Sequence, residues 1–255
     1  MKTLVILGAC GTSREAWWVL WELDPEIRAV FVDDVTGRSA LDLGGREVPV
    51  VQDWNFDGVR ESLGDGDPDS FREFVCGMGD PRVKRIVVEK ALRAGLRPAP
   101  TVVAKGVYLC PTIRVGRGGF IHRNSAFTAD ITLGDYVTVH TATMGHDAVV
   151  GDYCTLGACS LLTGHTRLGE GVFLGCGSVV RPRTQIAAWV TVGINAAVVR
   201  DVTEEGVTIA GVPARILKPK APQAGEGCAA PPPDDTPAPL CRTEEDGADR
   251  GHDPL

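Results

Sequence analysis

The residues most suited to catalysis are His146 and Asp147, which follow Gly145 in the second half of the chain. A histidine titrates near neutral pH and can accept the proton of an attacking nucleophile. A carboxylate beside it can hold the imidazole in one tautomer and stabilise the imidazolium that forms. The pair therefore indicates general-base chemistry, provided that the fold presents both side chains together.

The segment around this pair has a period of six residues. Every sixth residue is aliphatic, at Met144, Val150, Leu156, Leu162, Leu168, Leu174, Val180, Ile186, Val192 and Val198. This period matches neither a helix of 3.6 residues per turn nor the two-residue alternation of a plain strand. It predicts a parallel β-solenoid wound as a prism, in which each short strand contributes one inward aliphatic residue. We expect the Gly that often follows to permit the corner, and the small or β-branched residue four places on to let adjacent coils approach.

The same repeat runs upstream through Leu109, Val115, Ile121, Phe127, Leu133 and Val139. Met144 lies five positions after Val139 and not six, so the register slips by one immediately before His146. A bulge or a displaced corner must absorb the slip, and such irregularities often re-aim side chains at functional sites.

Composition excludes several classes of function. The net charge is −7, and residues 221–255 hold eight acidic residues against two arginines, so the remainder has no strongly basic character of the kind that nucleic-acid binding requires. That Pro-, Gly- and Asp-rich tail is predicted to be disordered. The eight cysteines are scattered, which favours free thiols in a reducing cytoplasm. Without an apolar run of about 20 residues, we expect a soluble cytoplasmic protein that does not span a membrane.

The pattern in the first third of the sequence indicates the start of a doubly wound α/β unit. The pattern predicts strands over 3–7, 27–32 and 74–77, and helices over 14–23 and 83–94. Ligands of such sheets bind beyond the carboxyl ends of the strands. The candidate ligand-binding residues there are Cys10, Gly11, Thr12, Asp33, Asp34 and Gly79. The Gly-rich turn taken alone is also compatible with a purely structural tight turn.

These two parts together resemble one family. The hexapeptide repeat with its His-Asp pair ends in Gly-Val-Pro-Ala at 211–214, and the first part carries Gly-Ala-Cys-Gly at 8–11, Val-Asp-Asp at 32–34 and Gly-Asp-Pro-Arg at 79–82. Over residues 2 to about 218 this resembles the bacterial sugar O/N-acetyltransferases of the sialic-acid O-acetyltransferase type. The resemblance implies a half-Rossmann parallel sheet that binds a nucleotide sugar over 1–100, a left-handed parallel β-helix with the acyltransferase site over 101–220, and the tail over 221–255.

The resemblance also implies a mechanism and partners. It implies a homotrimer that binds acetyl-CoA between adjacent prisms, uses no metal, and acetylates an amine or a hydroxyl of a nucleotide-linked sugar. His146 would be the general base and Asp147 its orienting acid, while the six candidates of the first part would hold the nucleotide. The contacts to CoA would fall on Thr155, Gly164, Cys176 and Ile194. Gly164 lies 18 residues, or one coil, after His146, which makes its N–H a candidate oxyanion donor.

Three alternatives stay open. The family often has a histidine after the Gly-rich turn, where this chain has Thr12-Ser13-Arg14, so the first alternative is the same acyl transfer onto another small metabolite. A non-catalytic trimer that binds sugar nucleotides is a second possibility, which the His-Asp pair disfavours. The third is zinc bound by His122, His140 and His146, as in the trimeric β-helix carbonic anhydrases. The carbonic anhydrase family lacks the first part and spaces its ligands differently.

His165 stands where the acetyltransferase family has an Asn, and it lies one coil from His146.

Overall fold

A computed structural model describes residues 3–54 and 71–217, and the tail predicted to be disordered lies outside them. The first part contains two helices, α1 (Gly11–Leu23) and α2 (Pro81–Arg93). Its strands are β1 (Thr3–Leu7), β2 (Arg28–Val32), β3 (Ala40–Asp42), β4 (Glu47–Val51), β5 (Glu73–Cys76) and β6 (Arg97–Pro98). They form one sheet in the order β3-β4-β2-β1-β5-β6, in which β1, β2, β4, β5 and β6 pair in parallel.

The first part thus confirms the predicted half-Rossmann sheet. Helix α1 begins three residues earlier than predicted, and α2 begins two residues earlier. Asp80 explains the second start, because its side chain accepts hydrogen bonds from the N–H groups of Arg82 (2.8 Å) and Val83 (3.0 Å). Pro81 occupies the first helical turn, where its missing N–H costs nothing. The β3–β4 hairpin was not predicted from the sequence.

The second part is a parallel β-solenoid with three faces. Its strands are β7 (Val102–Val103), β8 (Arg114–Val115), β9 (Phe120–Ile121), β10 (Ala126–Phe127), β11 (Thr132–Leu133), β12 (Thr138–Val139), β13 (Thr143–Met144), β14 (Val149–Val150), β15 (Thr155–Leu156), β16 (Leu161–Leu162), β17 (Arg167–Leu168), β18 (Phe173–Leu174), β19 (Val179–Val180), β20 (Gln185–Ile186), β21 (Thr191–Val192), β22 (Ala197–Val198), β23 (Thr208–Ala210) and β24 (Arg215–Ile216). We name the sheet β10-β13-β16-β19-β22 face 1, the sheet β8-β11-β14-β17-β20 face 2, and the sheet from β7 to β24 face 3. No helix in the described ranges is long and apolar enough to cross a membrane.

The aliphatic residue of each hexad from Met144 onward points inward as predicted, and together these residues fill the solenoid core. The slip before His146 is absorbed by a shortened corner at 140–142, where Thr141 has φ 39°. Strand pairing continues unbroken on both sides, with Phe127 opposite Met144 and Met144 opposite Leu162. The irregularity is therefore a displaced corner and not a bulge.

The predicted role of the repeat glycines was wrong. The left-handed corner conformation falls three residues after the inward residue, at Asp147 (φ 59°) and His165 (φ 60°), for example. The glycine one place after the inward residue is needed for close approach: a Cβ on Gly151 would lie 2.8 Å from the Glu170 backbone N on the next coil. The small residues four places on, such as Cys154, are instead buried in the core.

A buried lysine joins the two parts, which belong to one compact unit, Met1–Leu217. Lys84 on α2 is fully buried, and its Nζ donates to the hydroxyls of Thr155 (2.8 Å) and Thr138 (3.0 Å) and to the carbonyls of Cys154 (3.0 Å) and Tyr153 (3.3 Å) on the solenoid.

Burial lowers the pKa of Lys84 from 10.5 to about 8. Below pH 8 the folded and unfolded chains both carry this proton, so Lys84 adds no pH dependence to stability. Between pH 8 and 10.5 the unfolded chain retains a proton that the folded chain has lost. In that window the free energy of unfolding therefore rises with pH.

Candidate active site

One corner of the solenoid, between face 1 and face 2, gathers the side chains with catalytic potential. His146 and Asp147 follow β13, and Gly164 and His165 follow β16 on the next coil. We call these four residues the histidine corner. The two coils are tied together there by a hydrogen bond from the His165 N–H to the His146 carbonyl (2.9 Å).

The predicted His-Asp pair is formed within the chain. His146 Nδ1 lies 2.7 Å from Asp147 Oδ2, which is the length of a charge-assisted hydrogen bond. The hydrogen bond from His146 is the main cause that lowers the pKa of Asp147, and the charge of His165 adds to it. The carboxylate is therefore ionised at neutral pH. It can hold Nδ1 as the protonated nitrogen and leave Nε2 free to accept a proton.

Gly164 lies against the outer ring atoms of this imidazole. A Cβ on Gly164 would lie 2.8 Å from both Cε1 and Nε2 of His146, so glycine is the residue that leaves room for the ring. The spacing of 18 residues placed Gly164 beside His146 correctly. The same spacing brings His165 near, with its ring centroid 5.1 Å from that of His146 and its Nδ1 3.7 Å from Asp147 Oδ2.

The other residues expected to contact CoA lie elsewhere. Cys176 and Ile194 follow β18 and β21, so they occupy the corner after face 3, where both are exposed. Thr155 is only 2% exposed, and its hydroxyl accepts the hydrogen bond from Lys84. Because this hydroxyl is already engaged inside the chain, we do not propose it further as a CoA contact.

At the carboxyl edge of the sheet, the predicted nucleotide-binding residues converge only in part. The turn at 10–12 approaches Gly79, whose Cβ would lie 3.6 Å from Thr12 Oγ1. Asp33 accepts hydrogen bonds from the N–H groups of Ala9 (2.8 Å), Val35 (3.0 Å) and Thr36 (2.9 Å). Burial raises the pKa of Asp33, but these bonds outweigh burial and lower the pKa overall, so the charged carboxylate holds the Gly-rich turn in place.

Asp34 and Cys10 have partners within the chain as well. Asp34 forms an ion pair with Lys90 of α2 (2.6 Å). Cys10 Sγ lies 3.4 Å from Ser13 Oγ and 3.7 Å from the Gly77 carbonyl.

The other histidines that the structure describes, His122 and His140, each follow a strand of face 3. His140 Nδ1 is 3.4 Å from Glu15 Oε2 of α1, and the His140 ring packs edge-on to Phe120, as the His122 ring also does. Sequence reasoning did not find the contact with Glu15, since nothing in the local pattern connects α1 to face 3. Among the described residues, the metal-capable group within 4.8 Å contains His146 but neither His122 nor His140, which gives no support to the predicted three-histidine alternative.

Comparison with solved structures shows the same two-part architecture. A mutant of perosamine N-acetyltransferase from Caulobacter crescentus, solved with CoA and GDP-perosamine, matches with a TM-score of 0.73 at 28% identity, over 86% of this chain and 98% of that chain. The acetyltransferase domain of PglB from Neisseria gonorrhoeae, solved with acetyl coenzyme A, matches with a TM-score of 0.71 at 26% identity, over 85% and 99% of the two chains.

Curated relatives match over a shorter stretch, and no family model matches the chain. A serine acetyltransferase from Synechococcus elongatus is 32% identical over 120 residues, which is 44% of this chain and 43% of the relative. An acyl-[acyl-carrier-protein]–UDP-N-acetylglucosamine O-acyltransferase from Pseudomonas putida is 33% identical over 102 residues, or 39% of each. The chain thus spans about two-fifths of the length of these curated relatives.

The comparisons confirm a left-handed β-helix joined to a parallel sheet, while the sialic-acid O-acetyltransferase type stays a prediction. The chain is thus similar in sequence to acyltransferases and in structure to acetyltransferases, among them a perosamine N-acetyltransferase.

Proposed function

We propose that this chain transfers an acetyl group from acetyl-CoA to the amine of a nucleotide-linked sugar. The observation that carries the proposal is the His146–Asp147 pair, set against Gly164 in a chain that shares its whole two-part architecture with a GDP-perosamine N-acetyltransferase. The amine is favoured over a hydroxyl because a neighbour that matches both parts is a perosamine N-acetyltransferase.

In the proposed reaction His146 Nε2 is the general base. The amine nitrogen attacks the thioester carbonyl carbon, a C–N bond forms, and the amine proton passes to Nε2. Asp147 stabilises the resulting imidazolium through Nδ1–H. The tetrahedral intermediate then collapses, the C–S bond breaks, and the CoA thiolate takes the proton from Nε2. The Gly164 N–H is the proposed donor to the oxyanion.

The acceptor is proposed to bind at the carboxyl edge of the first sheet. There the backbone of 10–12 and Gly79 would contact the nucleotide, while Asp33 and Asp34 support the surrounding loops through the hydrogen bonds and the ion pair described above. This arrangement fits the general position of ligands in parallel α/β sheets. The acceptor sugar must then extend toward a histidine corner.

A homotrimer is proposed because the acyl-donor residues occupy two different corners of one prism. Gly164 lies after face 1, whereas Cys176 and Ile194 lie after face 3. A single CoA that contacts both sets would have to lie between two chains. Ile194 is 72% exposed in the single chain, which suits a contact with CoA or with a neighbour. The free thiols of the described cysteines fit the reducing cytoplasm in which we propose the protein works.

The proposal is tested by measuring CoA release from acetyl-CoA with a panel of acceptors. The panel contains GDP-perosamine, UDP-linked amino sugars, the matching hydroxyl sugars and L-serine. We expect turnover with at least one nucleotide amino sugar, and a loss of roughly 10²–10⁴-fold in kcat for His146→Ala. CoA affinity, measured by calorimetry, should stay unchanged.

His122→Ala is the matched control, since His122 is a solenoid histidine outside the histidine corner, and it should keep normal turnover. Near-full turnover of His146→Ala on an accepted substrate would overturn the mechanism. Turnover confined to L-serine would overturn the assignment of a nucleotide-linked sugar, and turnover confined to hydroxyl sugars would overturn the assignment of an amine acceptor.

A further inference from the structure

The histidine corner contains three side chains that can ligate one metal ion. One ligand atom from each of His146, Asp147 and His165 lies within 4.8 Å of the other two. Asp147 Oδ2 stands between them, 2.7 Å from His146 Nδ1 and 3.7 Å from His165 Nδ1. The mechanism above uses the first contact and gives no role to His165.

The spacing and the donor types suit zinc. Zinc binds imidazole nitrogen and carboxylate oxygen at about 2.0–2.2 Å, so neighbouring ligand atoms of a tetrahedral site lie about 3.3 Å apart. The distance from Asp147 Oδ2 to His146 Nδ1 (2.7 Å) is shorter than that separation, and the distance to His165 Nδ1 (3.7 Å) is longer. Because all three ligand atoms already lie within 4.8 Å of one another, side-chain rotations can bring them onto one ion.

The backbone of the corner is already fixed, and its side chains are accessible. The hydrogen bond from the His165 N–H to the His146 carbonyl holds the two peptide segments together. The side chains of His146, Asp147 and His165 are 58%, 45% and 44% exposed, so an ion can enter and water can complete its coordination.

We propose that the histidine corner binds Zn²⁺ through His146, Asp147 and His165, and that the bound ion reversibly inhibits the chain. The inhibitory half rests on the proposed function, whereas the binding half does not. The ion replaces the proton on His146 Nδ1, and that proton moves to Nε2, so the imidazole stays neutral. Nε2 then carries a proton and cannot accept one from the acceptor amine.

The binding half is tested by calorimetric titration of the untagged, metal-stripped chain with ZnCl₂, without acetyl-CoA or acceptor. We expect one Zn²⁺ per chain and weaker binding by His165→Ala. Loss of even an outer-shell partner costs about 10–100-fold in metal affinity, so loss of a ligand should cost at least tenfold. His165→Asn, an uncharged polar replacement, serves as a second variant.

His122→Ala is the matched control, since His122 lies outside the histidine corner and its Nδ1 lies 3.3 Å from the Arg123 carbonyl oxygen. Its Zn²⁺ affinity should equal that of the parent chain. Equal affinities of the parent and both His165 variants would overturn the site, as would an equal loss with His122→Ala.

The inhibitory half is tested by turnover with added Zn²⁺ and then with a chelator. We expect turnover to be lost at the Zn²⁺ concentration that saturates the site in calorimetry, and to recover with the chelator. Because His165→Ala binds the ion more weakly, its inhibition should need at least tenfold more Zn²⁺. Full turnover of the zinc-saturated chain would overturn inhibition. If no acceptor is turned over, the proposed function fails, while the calorimetric result still decides the metal site.

Discussion

Replacing Gly164 by alanine should separate catalysis from stability. Gly164 does not adopt a left-handed conformation, so alanine fits its backbone without strain. The new Cβ would lie 2.8 Å from Cε1 and Nε2 of His146, whereas unstrained contacts between such atoms are about 3.5–4.0 Å. The imidazole must therefore move by about 1 Å. That movement also strains its 2.7 Å hydrogen bond to Asp147.

The consequences for the two properties differ. A misplacement of about 1 Å at a catalytic group costs on the order of 10²-fold in rate, so kcat should fall by about that factor. Stability should change by less than about 1 kcal/mol, because the displaced ring is exposed and alanine lowers the entropy of the unfolded chain. The measurements are kcat on an accepted amino sugar, urea unfolding, and the ring-nitrogen NMR shifts of His146.

Two outcomes would refute this reasoning. An unchanged kcat would show that the His146 imidazole does not act as the base from its position against Gly164. A fall in kcat matched by a large loss of stability would show that Gly164 supports the coil and not the base.

Three further predictions concern the rest of the site and the fold. Asp147→Asn should lower kcat less than His146→Ala does, because the base remains while the ionised carboxylate that orients it is lost; steady-state kinetics of both variants decide this. Gly151→Ala should destabilise the chain by roughly 1–3 kcal/mol in urea unfolding, since its Cβ would meet the Glu170 backbone N at 2.8 Å, and kcat per folded chain should hold. Between pH 8 and 10.5 the free energy of unfolding of the parent should rise relative to that of Lys84→Met by about 3 kcal/mol, which is the free-energy equivalent of the pKa shift of Lys84. Urea unfolding of both chains across this pH range measures the difference. Parallel curves that show no divergence would contradict the burial of the Lys84 charge.

Features that depend on local repetition could be predicted from the sequence. Each hexad repeats the same inward aliphatic position, so the solenoid and the place of its slip follow from counting residues. Counting also placed Gly164 and His165 beside His146, because one coil takes 18 residues there. The strand, Gly-rich turn and helix of the first part are likewise encoded within about twenty neighbouring residues.

Features that depend on contacts between distant segments could not be predicted. Lys84 has the sequence context of a surface helix residue, and only docking of α2 on the solenoid buries it and engages the Thr155 hydroxyl. The role of Gly151 depends on the backbone of the next coil. Periodicity and adjacency are local, so they predict the solenoid, the half-Rossmann sheet and the His146–Asp147 pair without any knowledge of the fold. A polar atom is satisfied within the chain or left free for a ligand according to what it meets across the fold, which is why the folded chain was needed to tell the two cases apart.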